Sequence, residues 1–99
     1  MIYVTDAGHR FEIHVDGALA GFTDYWEDGD VRIFPHTEID QTFLGRGLAT
    51  TLIREALDAT RAAGRSVQPA CRFVRGFIVK NPEYADLVPA DRRAALGLV

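Results

Sequence analysis

The chain predicts an α+β domain built on a mixed sheet: a three-stranded antiparallel meander, a crossover helix, a parallel fourth strand and C-terminal helices. Three observations point there. Two Asp-Gly dipeptides, Asp16-Gly17 and Asp28-Gly29, each lie between segments of alternating hydrophobicity, the pattern of tight hairpins. From Leu48 onward adjacent apolar pairs recur every four residues, which places them on one helical stripe. A short β-compatible segment follows that helix, and a strand reached through a helix lies parallel to its predecessor by a right-handed crossover.

Residues 8–16 place Phe11, Ile13 and Val15 on one face and Arg10, Glu12 and His14 on the other, a half-buried strand. The second strand spans Ala18 to Glu27, with Ala20, Phe22 and Trp26 on one side and Leu19, Thr23 and Tyr25 on the other. The third, Asp30 to Ile39, sets Val31, Ile33 and Pro35 against Arg32, Phe34, His36 and Glu38. Leu48/Ala49, Leu52/Ile53 and Ala56/Leu57 form the stripe of a long helix, which Gly64 is placed to stop. Arg65 to Pro69 reads as the fourth strand. Cys71 to Lys80 carries Phe73, Val74, Phe77 and Ile78 at helical spacing, and Leu87 to Val99 reads as a short terminal helix.

Ninety-nine residues, 47% of them hydrophobic, suit one compact domain over 1–99. A net charge of −3 argues against nucleic acid as the main partner, because phosphate backbones need a basic face. The single cysteine excludes an internal disulfide, and without a cysteine pair no metal site is expected. The opening residues MIYVTDAGHR hold no long apolar run. No signal peptide, membrane span or membrane partner is therefore expected, and the cytoplasm is the expected compartment.

The turn before the long helix is Gly45-Arg46-Gly47. Two residues without a Cβ let a ligand approach the backbone, and the free N–H groups of a helix start favour phosphate. Such turns also serve simply to connect a strand to its covering helix. Taken with its setting, the run Leu44-Gly45-Arg46-Gly47-Leu48-Ala49 resembles the acyl-CoA pyrophosphate loop of the GNAT acetyltransferase superfamily, Arg/Gln-x-x-Gly-x-Gly/Ala. Gly47 and Ala49 match its two small positions, and Leu44 stands where Arg or Gln is usual. His36-Thr37-Glu38, Pro69-x-Cys71-x-Phe73-Val74 and Asn81-Pro82-Glu83-Tyr84 are similar to segments of the small YidJ/NATD1-like "minimal" members, single domains that lack the two helices covering the acceptor.

The resemblance implies a GNAT-like fold and an acyl-CoA-dependent N-acetyltransferase with acetyl-CoA as acyl donor and an unidentified amine as acceptor. Its residues would be Gly45, Arg46, Gly47, Leu48 and Ala49 for the pyrophosphate, and Thr37 and Ile39 as strand-edge groups for the pantetheine arm. Its catalytic candidates would be His36, Glu38 and Cys71. The other class of reading is a CoA-binding or protein-interaction module with little or no catalysis, and a monomer or weak homodimer suits either.

Each candidate also has a plainer role. His36 and Glu38, two apart in an extended segment, share a face and suit an acid–base pair or ordinary strand-surface residues. Cys71, between a strand and a helix, suits a nucleophile or proton donor at a helix N-terminus or a small buried hydrophobe. Arg46, Arg72, Arg75 and Lys80 suit CoA phosphates or a solvated helix face. Phe73 and Phe77 read as core, and Tyr25 and Trp26 as an acceptor surface or a cap on the sheet. Tyr84 is the nearest tyrosine that could protonate a leaving thiolate.

Overall fold

The structure, a computed structural model, describes residues 1–95 and 97. Strand β1 (Ile2–Asp6) pairs antiparallel with β2 (Arg10–Val15), which pairs with β3 (Ala18–Asp24). The chain continues through β4 (Trp26–Asp28), β5 (Val31–Ile33) and β6 (Thr37–Ile39). Helix α1 (Leu48–Ala62) crosses to β7 (Ser66–Gln68), and α2 (Arg72–Lys80), a 3-10 segment (Pro82–Leu87) and the short α3 (Ala90–Arg93) complete it. The strand orders are β1-β2-β3-β6 and β4-β5-β7, with β5 and β7 parallel. The crossover topology is as the sequence predicts. Among the described residues no helix is long and apolar enough to cross a membrane.

The first hairpin turns on Asp16 (φ 49) and Gly17 (φ 86), both left-handed as a type I′ turn needs. The second turns on Gly29 and Asp30, with Val31 opposite Asp28, one residue later than an Asp28-Gly29 turn would have it.

The second and third strands are not continuous. Ile13 faces Gly21 while His14 faces Leu19, so Ala20 is an extra residue in β3, a bulge that shifts the alternation. Ala20, Thr23 and Tyr25 consequently face the core, and Phe22 and Trp26 the other side, with Trp26 54% exposed. A second break at Phe34–His36 lets Arg32, Phe34 and Thr37 all point inward. Strand β1 was not anticipated. Its outer edge is unpaired and its side chains are mostly exposed, so it lacks the alternation that marks a half-buried strand.

Leu52, Leu57, Ile53 and Ala56 of α1 are buried over Phe11, Ile13, Phe34 and Val67 of the sheet. Each fully buried leucine contributes about 2–3 kcal/mol. Gly64 (φ 72) ends α1, with its N–H on Arg61 and that of Arg65 on Thr60, the paired bonds of a Schellman stop. Beneath, the buried Arg32 guanidinium is held by Glu27 at 2.7 and 2.9 Å and lies over the Tyr25 ring, so its charge is compensated. In α2, Val74, Phe77 and Ile78 face the core, but Phe73 is 48% exposed, contrary to its reading as a core residue. The expected terminal helix shrinks to Ala90–Arg93, preceded by the 3-10 segment; Leu96, Leu98 and Val99 lie outside the described residues.

Candidate active site

The sheet divides at Phe34. The Phe34 N–H donates to the Gln68 carbonyl (3.0 Å), and the Cys71 N–H donates to the Phe34 carbonyl (2.8 Å). Beyond those bonds β6 pairs with β3 alone, while the other chain turns at Cys71 into α2. The parting leaves a cleft of about 400 Å³, with Pro35, His36 and Thr37 on one wall and Cys71, Arg72, Phe73 and Arg75 on the other.

Strand β6 keeps one edge open toward that parting. Asp24 N–H donates to the His36 carbonyl, and Asp40 N–H to the Ala20 carbonyl. By the two-residue alternation of an antiparallel ladder, residues 36, 38 and 40 direct their main-chain groups at β3. Thr37 and Ile39 direct theirs to the free edge.

Side chains alternate in the other sense. His36 Nε2 lies 3.0 Å from Glu38 Oε2, and both are exposed, at 55% and 62%. Glu38 therefore lacks the burial that a carboxylate base near neutrality was expected to need, and its carboxylate faces the His36 ring. Thr37 points inward, its hydroxyl between Thr23 Oγ1 (2.9 Å) and the Cys71 thiol, which donates to it at 3.4 Å. Cys71 is the N-cap residue of α2 and is buried. Thr23 was not foreseen as part of this cluster, because only the bulge at Ala20 turns it inward.

Gly45 (φ 81) and Gly47 (φ 72) give the turn before α1 its left-handed backbone, and in both cases a Cβ would meet no atom. Conformation, not crowding, calls for glycine there. Gly47 is the N-cap of α1, with no side-chain cap and no acidic residue in the first turn. The amides of Leu48, Ala49 and Thr50 thus lack the usual partner at the positive end of a 15-residue helix. Leu48 is buried, so only its main chain can meet a ligand. Leu44 is exposed. The Arg46 guanidinium lies over Phe43 at 5.7 Å. The Asp16 carboxyl is held below its ordinary range, first by the hydrogen bond and charge of the Met1 amine and, to a smaller degree, by Arg46. Ala49 and Thr50 border a second groove, of about 250 Å³, which shares Arg72 and Phe73 with the cleft.

Among the described residues no tyrosine lines the cleft. The Tyr84 hydroxyl donates to Asp58 at 2.7 Å, ten residues along α1 and about 15 Å from its start. Burial, then the Asp58 bond, raise its pKa. Tyr25 is buried and donates to Asp6 at 2.7 Å, and Tyr3 stacks on His14 at 5.0 Å.

A sequence model of the GCN5-related N-acetyl-transferase family matches residues 10–87, from the start of β2 to the end of the 3-10 segment. The chain belongs to this family. No curated protein matches it. GCN5-related enzymes generally take acetyl-CoA as acyl donor, and in this member the cleft at the parted strands and the groove at the start of α1 share Arg72 and Phe73.

Proposed function

We propose that this GCN5-related protein is a single-domain N-acetyltransferase of the minimal type, moving an acetyl group from acetyl-CoA to an amine. The observation that carries the reading is the parting of the sheet at Phe34, which leaves a cleft lined by both His36 and Cys71, sharing Arg72 and Phe73 with the groove that reaches the first turn of α1. In this reading Gly45 to Ala49 hold the pyrophosphate through main-chain N–H groups, and Arg46 swings from Phe43 to meet it. Thr37 and Ile39 offer free-edge groups to the pantetheine arm, much as a strand accepts an added strand.

The chemistry is a direct exchange of bonds. The amine nitrogen forms a C–N bond to the thioester carbonyl carbon, and the C–S bond breaks. His36, oriented by Glu38, accepts the proton that the amine loses. The leaving thiolate takes a proton from the Cys71 thiol, which regains one from solvent; the alternative for Cys71 is transient acylation before the amine attacks. Acceptors reach the cleft over the uncovered sheet face that bears Phe22, His36 and Glu38, an open approach suited to a protein amine as well as a small one.

The test is release of free CoA thiol from acetyl-CoA across a panel of amines, with the acetylated product identified by mass. Amine-dependent release that His36→Ala abolishes supports the assignment. Nucleotide binding without release from any amine favours the second reading, a CoA-binding module. The engagement of Tyr84 with Asp58, which leaves the cleft without a phenol, supports that second reading.

A further inference from the structure

Thr23 and Thr37 stand opposite each other in β3 and β6, and both are buried, at 0% and 4% exposed. Their hydroxyl oxygens lie 2.9 Å apart. Packing does not call for hydroxyls there. Valine has the same shape, and exchanging both members of a buried bonded pair for apolar groups of that shape is nearly neutral or stabilising. The pair has a third member in the Cys71 sulfur, which lies 3.4 Å from Thr37 Oγ1 and lines the cleft.

Each threonine brings one hydrogen and can also accept, and the hydrogens count unevenly in the two senses of the chain. When the Cys71 thiol donates to Thr37, Thr37 donates to Thr23, whose own hydrogen meets no other acceptor among the described residues. In the opposite sense Thr23 donates to Thr37 and Thr37 to the sulfur, and every hydroxyl hydrogen is used. That sense is the one a sulfur without its proton requires, because a buried negative charge needs a donor. The start of α2, where Cys71 is the N-cap, favours the same charge.

We propose that Thr37, backed by Thr23, is a positioning residue for Cys71: the two hydroxyls form a relay that turns to donate to the sulfur when its proton leaves. The use of the relay rests on the acyl-transfer reading. As the CoA thiolate departs, the Cys71 S–H bond breaks and an S–H bond forms on the coenzyme. The electron pair stays on the Cys71 sulfur, Thr37 donates to it, and Thr23 donates to Thr37. A proton from solvent, entering by the cleft, restores the thiol and turns the relay back. Neither threonine loses its hydrogen, and nothing is oxidised or reduced.

Cys71 is the only thiol in the chain, so the ultraviolet absorbance of its thiolate can be followed in the whole protein as the pH is raised, with Cys71→Ala as the blank. Thr23→Val combined with Thr37→Val should leave Tm as in wild type or higher. At a pH where a small fraction of wild type is thiolate, that fraction should nonetheless fall about tenfold in the double variant, the scale of one hydrogen bond to a charged group. Thr23→Ser combined with Thr37→Ser should restore it. Thr37→Val alone should match the double valine variant, and Thr23→Val alone should fall less. With acetyl-CoA and an accepted amine, kcat of the double valine variant should fall with the thiolate while KM for acetyl-CoA holds. A titration that the valines leave unchanged, serines that do not restore it, or a lowered Tm in the double valine variant overturns the relay. Wild-type kcat in that variant, where Cys71→Ala loses it, removes the relay from the reaction. A chain that transfers no acetyl group sinks the acyl-transfer reading instead, and the titration still decides the relay.

Discussion

The main-chain N–H of Cys71 donates to the carbonyl oxygen of Phe34 at 2.8 Å, and this bond is the last that joins the two halves of the sheet before they part. Phe34 is fully buried, its ring 6.5 Å from Phe11 and 6.2 Å from Tyr25. One residue thus anchors the core and fixes the point from which the cleft opens. Phe34→Ala should cost about 3–5 kcal/mol, as large-to-small core changes of this kind do. Chemical denaturation measures it, and a loss under 1 kcal/mol would contradict the anchoring role.

Cys71 is the only thiol in the chain, and its hydrogen comes to rest on Thr37. If it protonates the thiolate or carries the acyl group, Cys71→Ala should lower turnover about 10²-fold or more with acetyl-CoA affinity little changed. Steady-state rates alongside calorimetric titration separate the two effects. Unchanged turnover would leave Cys71 as a small buried residue at the helix cap.

Tyr84 gives the opposite expectation. Its hydroxyl is committed to Asp58 at 2.7 Å, away from the cleft. Tyr84→Phe should cost about 1 kcal/mol of stability and leave kcat/KM for acetyl transfer as in wild type. A large fall in kcat at unchanged stability would restore a proton-donor role.

Tyr25 sets an alkaline limit on the fold. Burial, with the hydrogen bond to Asp6 next, pushes its pKa up to about 12 from 10.0. A folded-state value above the unfolded one means that the contribution is fully present below pH 10 and is lost as the pH rises toward about 12. The unfolding free energy from chemical denaturation should fall over that window by about 1.4 kcal/mol per pH unit at most through this group. Tyr25→Phe, less stable at neutral pH by about 1 kcal/mol, should show a shallower decline. Parallel curves for the two proteins would contradict the assignment.

The fold was legible where local chemistry decides it. Asp16-Gly17 supplies both left-handed residues of its turn, the apolar pairs from Leu48 to Leu57 set the buried stripe of α1, and Gly64 ends it. The breaks were not legible, because a bulge at Ala20 and a parting at Phe34 depend on how distant strands pair. Those breaks decide the site: they turn Thr23 and Thr37 toward Cys71 and leave His36 and Glu38 on the opposite face. The exposure of Phe73 likewise depends on how α2 packs on α1.

The central claim is that the amides following Gly47 grip the diphosphate of a CoA thioester, and the most direct measurement is thermal unfolding with acetyl-CoA. At about 100 times its dissociation constant the ligand should add about 2.7 kcal/mol, a rise in Tm of about 10 °C or more for a domain of this size. Gly47→Asp, which sets a carboxylate against the phosphates in a left-handed position that aspartate tolerates better than most, should fold and show no rise. A wild type that does not shift, or a Gly47→Asp variant that shifts as far as wild type, would contradict it.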